Sequence, residues 1–290
     1  MIRIRKQNFY FELSESTALK QLETEIEGNR LVNEGQYIKA ERIFRSSLEP
    51  GSEHVGLQYN LARSLDAQFK ISEAEKALTQ AAEIDSMNYD VFQQLRQISN
   101  YNRQYDKGKL YIEKLTALRG DAMNTMNRTR FLAELERSCG NYQSAEKILL
   151  EALSREPDSR EFNTGIAYVY NDRKQYDKAL PYAEKAVSSA RPDHFRANNL
   201  LAWLLVAGES DIDRGLAIVN RLLRSDFDYR FYSKINRHVP VPEHTMGLAY
   251  LKKEEYRKAV EYLTQAVEIA PDRQSIKENL QIAKKKAAEF

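Results

Sequence analysis

The chain is built from amphipathic stretches in which apolar residues recur at the spacing of one helix face. In seven segments a small residue is followed four and seven positions later by residues that are mostly apolar, a period typical of an α-helix. Glycine and proline are sparse, at 11 and 7 of 290 residues, so the turns that an all-β fold needs are missing. The pattern predicts an all-α protein.

The seven segments share a second feature, an aromatic or β-branched residue three positions before the small one. The pairs are Tyr37/Ala40, Ile71/Ala74, Tyr105/Gly108, Tyr142/Ala145, Tyr176/Ala179, Ile212/Gly215 and Tyr256/Ala259. The small residues follow one another at intervals of 34, 34, 37, 34, 36 and 44 residues, a period typical of a repeated helix-turn-helix unit. Because small side chains let two helices approach closely and one unit cannot bury its apolar face alone, we expect the units to stack.

An aliphatic residue followed by a small one recurs in the first helix of five units. The pairs are Leu61-Ala62, Leu132-Ala133, Ile166-Ala167, Leu201-Ala202 and Met246-Gly247. The fourth pair lies one residue out of register, which predicts a longer turn in the sixth unit. The segments 28–44, 165–186 and 245–271 resemble the tetratricopeptide repeat family, and the resemblance covers roughly residues 18–271. It implies an α-solenoid, a right-handed superhelix of about seven repeats followed by a C-terminal capping helix.

We expect three regions along the chain: an N-terminal arm at 1–13, the repeat array at 14–271 and the capping helix at 272–290. The units lie near 21–54, 55–88, 89–122, 126–159, 160–193, 195–228 and 240–273. The arm has a strand-like alternation of Ile2 and Ile4 with arginines that is too short to assign. The third unit is the least regular, because Arg96 stands where a small residue is usual and Ser99 where a large one is.

Composition and charge argue against several classes of protein, nucleic-acid-binding and membrane-spanning proteins among them. The net charge is +2 without a clustered basic excess, so we expect no nucleic-acid partner. The single cysteine, Cys139, excludes an internal disulfide, and we interpret it as a small buried hydrophobe rather than a reactive thiol. The sequence has no apolar run of 18 residues, so we expect no membrane span. We expect a cytoplasmic protein, although a chain trimmed of a signal or membrane anchor would look the same.

Sequence signals for chemistry are absent. The chain has no glycine-rich phosphate loop and no Gly-x-Ser-x-Gly elbow. His238 and His244 flank two prolines, but only Glu243 stands near them as a third metal ligand. We therefore predict a non-enzymatic protein without a metal or cofactor.

The resemblance implies that the first helix of each unit lines a concave groove that binds partner proteins or peptide segments. This face is rich in amides, which satisfy the backbone of an extended peptide, and in Tyr, Trp and Arg, which are common binding anchors. The alternatives are a merely solvated inner face and, for Trp203, a place in the core. The predicted partner-binding residues are Asn29, Tyr59, Asn60, Arg63, Gln93, Gln97, Asn100, Arg130, Glu134, Arg137, Tyr168, Asn171, Asn199 and Trp203.

One subgroup of the family clamps the C-terminal carboxylate of heat-shock chaperones with three cationic residues and two asparagines. Asn29 and Asn60 match the asparagines here, but the cationic positions hold Glu25, Asp90 and Gln94. The charge-assisted hydrogen bonds that hold a carboxylate in the clamp are therefore missing, and the carboxylates of Glu25 and Asp90 would repel it. We therefore predict that this clamp is not present.

A second candidate site is an insertion at about 226–242, where the long interval of 44 residues indicates roughly ten extra positions. Either the insertion binds a partner or it packs its aromatic residues against the stack. Its candidate patch consists of Phe227, Tyr229, Arg230, Phe231, Tyr232 and Arg237. As a whole, the sequence predicts a non-catalytic interaction scaffold. The alternative is a self-assembling structural component of a larger complex, a membrane-associated one included.

Overall fold

The computed structural model describes residues 2–6, 9–13, 15–48, 52–118, 121–189, 194–224, 229–230, 232 and 239–289, with side chains from residue 19 onward except 121–124. Within these ranges the chain forms fifteen helices and one β-hairpin. The helices are α1 (Glu15–Asn33), α2 (Tyr37–Ser47), α3 (Val55–Ala67), α4 (Ile71–Ile84), α5 (Tyr89–Tyr101), α6 (Tyr105–Ala117), α7 (Asp121–Ser138), α8 (Tyr142–Arg155), α9 (Arg160–Asp172), α10 (Tyr176–Ser188), α11 (Phe195–Ala207), α12 (Ile212–Leu223), α13 (Pro242–Lys252), α14 (Tyr256–Ile269) and α15 (Gln274–Ala288).

The chain divides into two compact units, residues 1–98 and residues 99–290, which we call the N-terminal unit and the C-terminal unit. In the N-terminal unit, α1 packs against α2 and α3, and α3 packs against α4. In the C-terminal unit, successive odd-numbered helices pack side by side, from α7 through α9 and α11 to α13. Each of these helices also packs against the even-numbered helix that follows it. This alternation is the packing of a helical-repeat solenoid, so the predicted fold class is confirmed.

The N-terminal arm adds a feature to the all-α array. Strands β1 (Ile2–Lys6) and β2 (Phe9–Leu13) form an antiparallel hairpin in which Ile2 pairs with Leu13 and Ile4 with Phe11. The alternation that was too short to assign in the sequence therefore lies in a strand.

Each of the seven aromatic or β-branched residues of the repeat pattern is the first residue of an even-numbered helix, from Tyr37 of α2 to Tyr256 of α14. The turn before each of these helices contains a residue with positive φ. Two are glycines, Gly35 and Gly140, and the others are Phe69, Arg103, Lys174, Glu209 and Glu254. Glu209 lies three residues before α12 instead of two, so the sixth unit has the longer turn that the sequence predicts.

The small residues of the repeat lie where helices meet. Ala40, Ala74 and Ala145 are fully buried. A Cβ added to Gly28 would overlap the buried ring of Phe44, and one added to Gly247 would overlap Leu263. Small side chains therefore set the distance between paired helices, as the sequence pattern indicates.

In the irregular third unit, the small residues Ser99 and Gly108 let α5 and α6 pack closely. Ser99 is buried, and its Oγ lies 3.1 Å from the position that a Cβ of Gly108 would take.

At the other end of the C-terminal unit, α15 covers α13 and α14 with the buried side chains of Ile276 and Ala283. Its lysines at 284–286 are exposed, which gives α15 the polar outer face that a capping helix requires.

Candidate functional site

The predicted binding residues of the N-terminal unit lie on α1, α3 and α5. Gly56 of α3 lies against Glu25 of α1, because a Cβ at position 56 would overlap the Glu25 carboxylate. Asn29 lies one helical turn after Glu25 on α1, and Asn60 lies one helical turn after Gly56 on α3. We call this surface the N-terminal face, and it consists of Glu25, Asn29, Tyr59, Asn60, Arg63, Asp90, Gln93 and Gln97.

Tyr59 and Arg63 form the aromatic and cationic part of the N-terminal face. The Arg63 guanidinium lies 6.0 Å from the Tyr59 ring centroid, and its Nη1 donates to Asn60 Oδ1 at 3.4 Å. Burial raises the pKa of the Tyr59 phenol, the positive charge of Arg63 opposes this shift, and the negative charge of Asp90 adds to it. Asp90 of α5 therefore acts on the same surface as α3.

The amides of the N-terminal face retain capacity for hydrogen bonds. Asn29 Oδ1 is buried and has no hydrogen-bond partner among the residues that the structure describes. Gln93 and Gln97 are half-buried on α5. The half-buried amides of Gln93 and Gln97 are suited to accept hydrogen bonds from an incoming backbone and to donate to it.

The residues at the three cationic positions of the chaperone clamp, Glu25, Asp90 and Gln94, differ in their exposure to solvent. Asp90 is exposed and Glu25 is half-buried, whereas Gln94 is buried and its Nε2 lies 3.4 Å from Asp66 Oδ2. His54 lies beside Glu25, with 3.6 Å between Nδ1 and Oε1. The same Nδ1 caps α3 by accepting a hydrogen bond from the Leu57 amide at 3.2 Å.

In the C-terminal unit, the predicted residues of α7 and α9 are engaged in contacts within the chain. Tyr168 is only 1% exposed, and the guanidinium groups of Arg137 and Arg196 each lie 5.3 Å from its ring centroid. Arg137 also pairs with Asp172. Burial raises the pKa of Tyr168 to about 12 despite the opposing charge of Arg196.

Arg196 was missed by the sequence analysis, although it belongs to the same cluster. Its Nη2 donates to Glu134 Oε1 at 3.1 Å. Arg130, another predicted residue, lies 4.3 Å from the ring centroid of Phe131. The signal that would have found Arg196 is its spacing on α11, because 196, 199 and 203 follow the i, i+3, i+7 pattern of one helix face.

The predicted residues of α9 and α11 form a second internal cluster. Trp203 Nε1 donates to Asn171 Oδ1 at 2.8 Å, and the Trp203 ring lies 4.9 Å from the ring of His244. Asn199 is fully buried and its Nδ2 donates to the Pro240 carbonyl at 2.6 Å. Asn100, the remaining predicted residue, is half-buried and its buried Oδ1 has no hydrogen-bond partner in the described part of the chain.

Three residues of the insertion patch, Tyr229, Arg230 and Tyr232, are described, whereas Phe227, Phe231 and Arg237 lie outside the described residues. The rings of Tyr229 and Tyr232 lie 6.0 and 5.7 Å from the ring of Phe195 on α11. The Tyr229 hydroxyl donates to Glu243 Oε1 at 2.8 Å, and burial chiefly raises the pKa of Tyr229 to about 12. The described aromatic rings of the insertion thus pack against the array.

No cluster of three or more His, Cys, Asp or Glu with metal-binding geometry occurs among the described residues, and His238 lies outside them. His244 Nε2 accepts a hydrogen bond from Asn279 Nδ2 at 2.9 Å. Over the part of the chain that the structure describes, each helix is too short or too polar to cross a bilayer.

Comparisons with known proteins agree with this architecture. Family models described as tetratricopeptide repeat match residues 132–194 and 244–273. A tetratricopeptide repeat protein from Parabacteroides merdae superposes with a TM-score of 0.55 at 17% identity, over 91% of this chain and 99% of that one.

Human IFIT1, solved as a dimer with m7Gppp-AAAA, gives a TM-score of 0.53 at 19% identity, over 87% of this chain and 59% of that one. A search of proteins with curated functions finds no match. At these identities the structural likeness carries information about the fold alone.

Proposed function

Because this chain is a tetratricopeptide repeat protein, we propose that it is a non-catalytic scaffold that binds a partner polypeptide on the N-terminal face. Repeats of this family generally mediate protein–protein interaction. The observation that carries the proposal is the pair Tyr59 and Arg63, which are both half-buried and whose ring centroid and guanidinium lie 6.0 Å apart. Tyr and Arg are the residue types that most often anchor an interface.

The C-terminal unit is less suited to this role. Its predicted anchors are already engaged within the chain. Arg137 pairs with Asp172, and Tyr168 lies against the guanidinium groups of Arg137 and Arg196. Trp203 donates a hydrogen bond to Asn171. A partner would have to break these contacts before it gained new ones, which lowers the net binding free energy. The proposal therefore assigns the main binding energy to the N-terminal face.

The experiment compares proteins that co-purify with the chain from its native source, quantified by mass spectrometry. The test variant combines Tyr59→Ala, Arg63→Ala and Gln97→Ala, all of which truncate half-buried side chains of the N-terminal face. The control variant combines Lys76→Ala and Glu83→Ala on exposed positions of α4. Circular dichroism checks that both variants stay folded.

We expect the test variant to lose at least tenfold of a partner that the wild type and the control variant retain, because truncating a few anchor side chains removes about 2 kcal/mol or more. Equal recovery by all three proteins would mean that partners bind elsewhere.

A further inference from the structure

The first helix of the array, α1, has apolar residues on two opposite faces. One face holds the buried Leu31 and Val32, and α1 packs against α2 and α3. The other face carries Leu19, Leu22 and Ile26, which follow the i, i+3, i+7 spacing of one helix side and are 59%, 52% and 63% exposed. At 100° per residue, these three residues lie about 160° around the helix from the buried pair. We call Leu19, Leu22 and Ile26 the α1 stripe.

The first and the last helix of the chain differ in their outer faces. The last helix, α15, presents the exposed lysines at 284–286, whereas α1 presents the α1 stripe. A helix with apolar residues on opposite sides is typical of a buried helix that packs on both sides. No residue whose side chain the structure describes covers the α1 stripe enough to bury it, so its second packing partner has to come from elsewhere.

The hairpin that precedes α1 has an apolar face of its own. Directly paired residues of an antiparallel hairpin lie on the same face, and the faces alternate along each strand. The register therefore places five apolar residues and one lysine on one face, namely Ile2, Ile4, Lys6, Phe9, Phe11 and Leu13. An isolated two-stranded hairpin is marginally stable in water, and packing against a helix stabilises it. The hairpin and the α1 stripe each need an apolar partner.

We propose that two copies of the chain form a dimer in which the hairpin of each copy covers the α1 stripe of the other copy. The lengths match, because a five-residue strand extends about 13 Å between its first and last Cα. The distance along the helix axis from Leu19 to Ile26 is about 10 Å. One strand therefore reaches along the whole α1 stripe.

The charges of the two elements are also complementary. The two strands of the hairpin carry three cationic residues and one carboxylate, a net charge of +2. Helix α1 carries four carboxylates and two cationic residues, a net charge of −2. Opposite net charges favour the approach of one hairpin to the α1 helix of another copy and disfavour contact between two hairpins or two α1 helices.

The connection between the hairpin and α1 favours a second copy over the chain's own helix. A single residue, Ser14, separates β2 (Phe9–Leu13) from α1 (Glu15–Asn33) in the sequence. A strand that reverses onto the helix after it usually needs a connection of two residues or more. A connection that is too short favours exchange of the element between two copies. Since each copy offers one hairpin and one stripe, the exchange is reciprocal and is complete in a dimer.

The test measures the dissociation constant of the dimer by sedimentation equilibrium of the full chain, with any affinity tag placed at the C-terminus. The stripe variant combines Leu22→Lys with Ile26→Lys. Its matched control combines Leu110→Lys with Ile282→Lys, at apolar positions of α6 and α15 that are 52% and 50% exposed. Circular dichroism checks that each variant keeps the helix content of the wild type.

A second pair of variants changes the hairpin. The hairpin variant combines Ile4→Ser with Phe11→Ser, which are paired on the apolar face. Its control combines Arg3→Ser with Glu12→Ser, which are paired on the opposite face and leave the net charge unchanged. A fluorescent label on one chain reports whether the stripe variant and the hairpin variant associate when they are mixed.

We expect the wild type to dimerise and both controls to keep its dissociation constant within a fewfold. The stripe variant and the hairpin variant should each weaken the dimer at least tenfold, because each loses apolar side chains that dimerisation buries. The mixture of these two variants should associate more tightly than either variant alone. The intact hairpin of the stripe variant still fits the intact stripe of the hairpin variant, so one of the two contacts is restored.

A wild type that stays monomeric at all concentrations would overturn the inference. So would a dimer that survives in either test variant, a control that weakens the dimer as much as its test variant, or a mixture that associates no better than its components. The proposed function is tested separately, because Tyr59 and Arg63 lie on α3 and are unchanged in all of these variants.

Discussion

The indole of Trp203 and the imidazole of His244 lie 4.9 Å apart between ring centroids, at a tilt of 41°. Trp203 belongs to α11 and His244 to α13, and His244 also accepts a hydrogen bond from Asn279 on α15. His244 is 4% exposed, and burial, together with the positive charge of Arg273, lowers its pKa to about 3. A neutral imidazole therefore joins three helices of the C-terminal unit.

The buried His244 predicts a pH dependence of stability. An unfolded histidine titrates near pH 6.5, so between about pH 6.5 and pH 3 the unfolded state binds more protons than the folded state. The contribution of neutral His244 to stability is complete above pH 6.5 and is lost as the pH falls towards 3. From this group alone, we expect a loss of about 1.4 kcal/mol between pH 7.5 and pH 5.5.

The measurement is chemical unfolding followed by the fluorescence of Trp203, the single tryptophan. The variant His244→Gln, which keeps an acceptor for Asn279, should lack this part of the pH dependence. In the folded wild type, the fluorescence should stay constant from pH 8 to pH 5. A quenching step near pH 6.5 in the folded protein would show that His244 titrates normally.

Glu41 predicts an acid-sensitive contact in the N-terminal unit. Burial alone would raise the pKa of Glu41, but hydrogen bonds from Lys70, Arg45 and Gln68 outweigh it and lower the pKa to about 2. The ionised group therefore stabilises the fold above about pH 4.5, and this contribution is lost as the pH falls from 4.5 towards 2. We expect Glu41→Gln to cost on the order of 2 kcal/mol at pH 7.

Denaturant unfolding at pH 7 and pH 3 checks the Glu41 prediction. The difference between wild type and Glu41→Gln should shrink at pH 3, whereas Glu83→Gln at an exposed position should differ little from wild type at either pH. A cost of Glu41→Gln that is the same at both pH values would be evidence against the low pKa.

Gly28 predicts a packing limit between α1 and α2. The methyl group of Gly28→Ala would overlap the ring of Phe44, which is fully buried. Overpacking of this kind costs about 1–3 kcal/mol, more than the gain in helix propensity from alanine. Thermal unfolding by circular dichroism should show a lower Tm for Gly28→Ala, and an unchanged or higher Tm would mean that α1 and α2 are packed less closely.

Two substitutions in the turns before the even-numbered helices should change the stability of the fold in opposite directions. Lys174 has φ of 57° and is exposed, so Lys174→Gly should raise stability by about 1 kcal/mol through relief of backbone strain. Gly140 has φ of 86° and open space around its Cβ position, so Gly140→Ala should lower stability by a similar amount. Calorimetry of both variants checks the pair, and effects of equal sign would contradict it.

The fold was largely predictable because the repeat pattern is local. Tyr37, Tyr142 and Tyr256 each begin a helix, which is the register that their distance from the small residues indicates. The positive φ at Phe69 and Lys174 was not predictable, since the turn geometry is imposed by the packing of two helices and not by a glycine.

The candidate site was predictable only in part. The sequence assigned Asn171, Asn199 and Trp203 to one face, but their partners are Pro240 and His244 as well as one another. Pro240 lies at the end of the insertion and His244 just after it, where helical periodicity in the sequence does not determine which residues meet.

The most direct test of the central claim is site-specific photo-crosslinking in the native source, with a benzophenone amino acid at Tyr59 of the N-terminal face or at Lys76 on exposed α4. The account predicts a discrete crosslinked partner from position 59 and none from position 76. The same crosslinks from both positions, or a partner captured from position 76 alone, would contradict it.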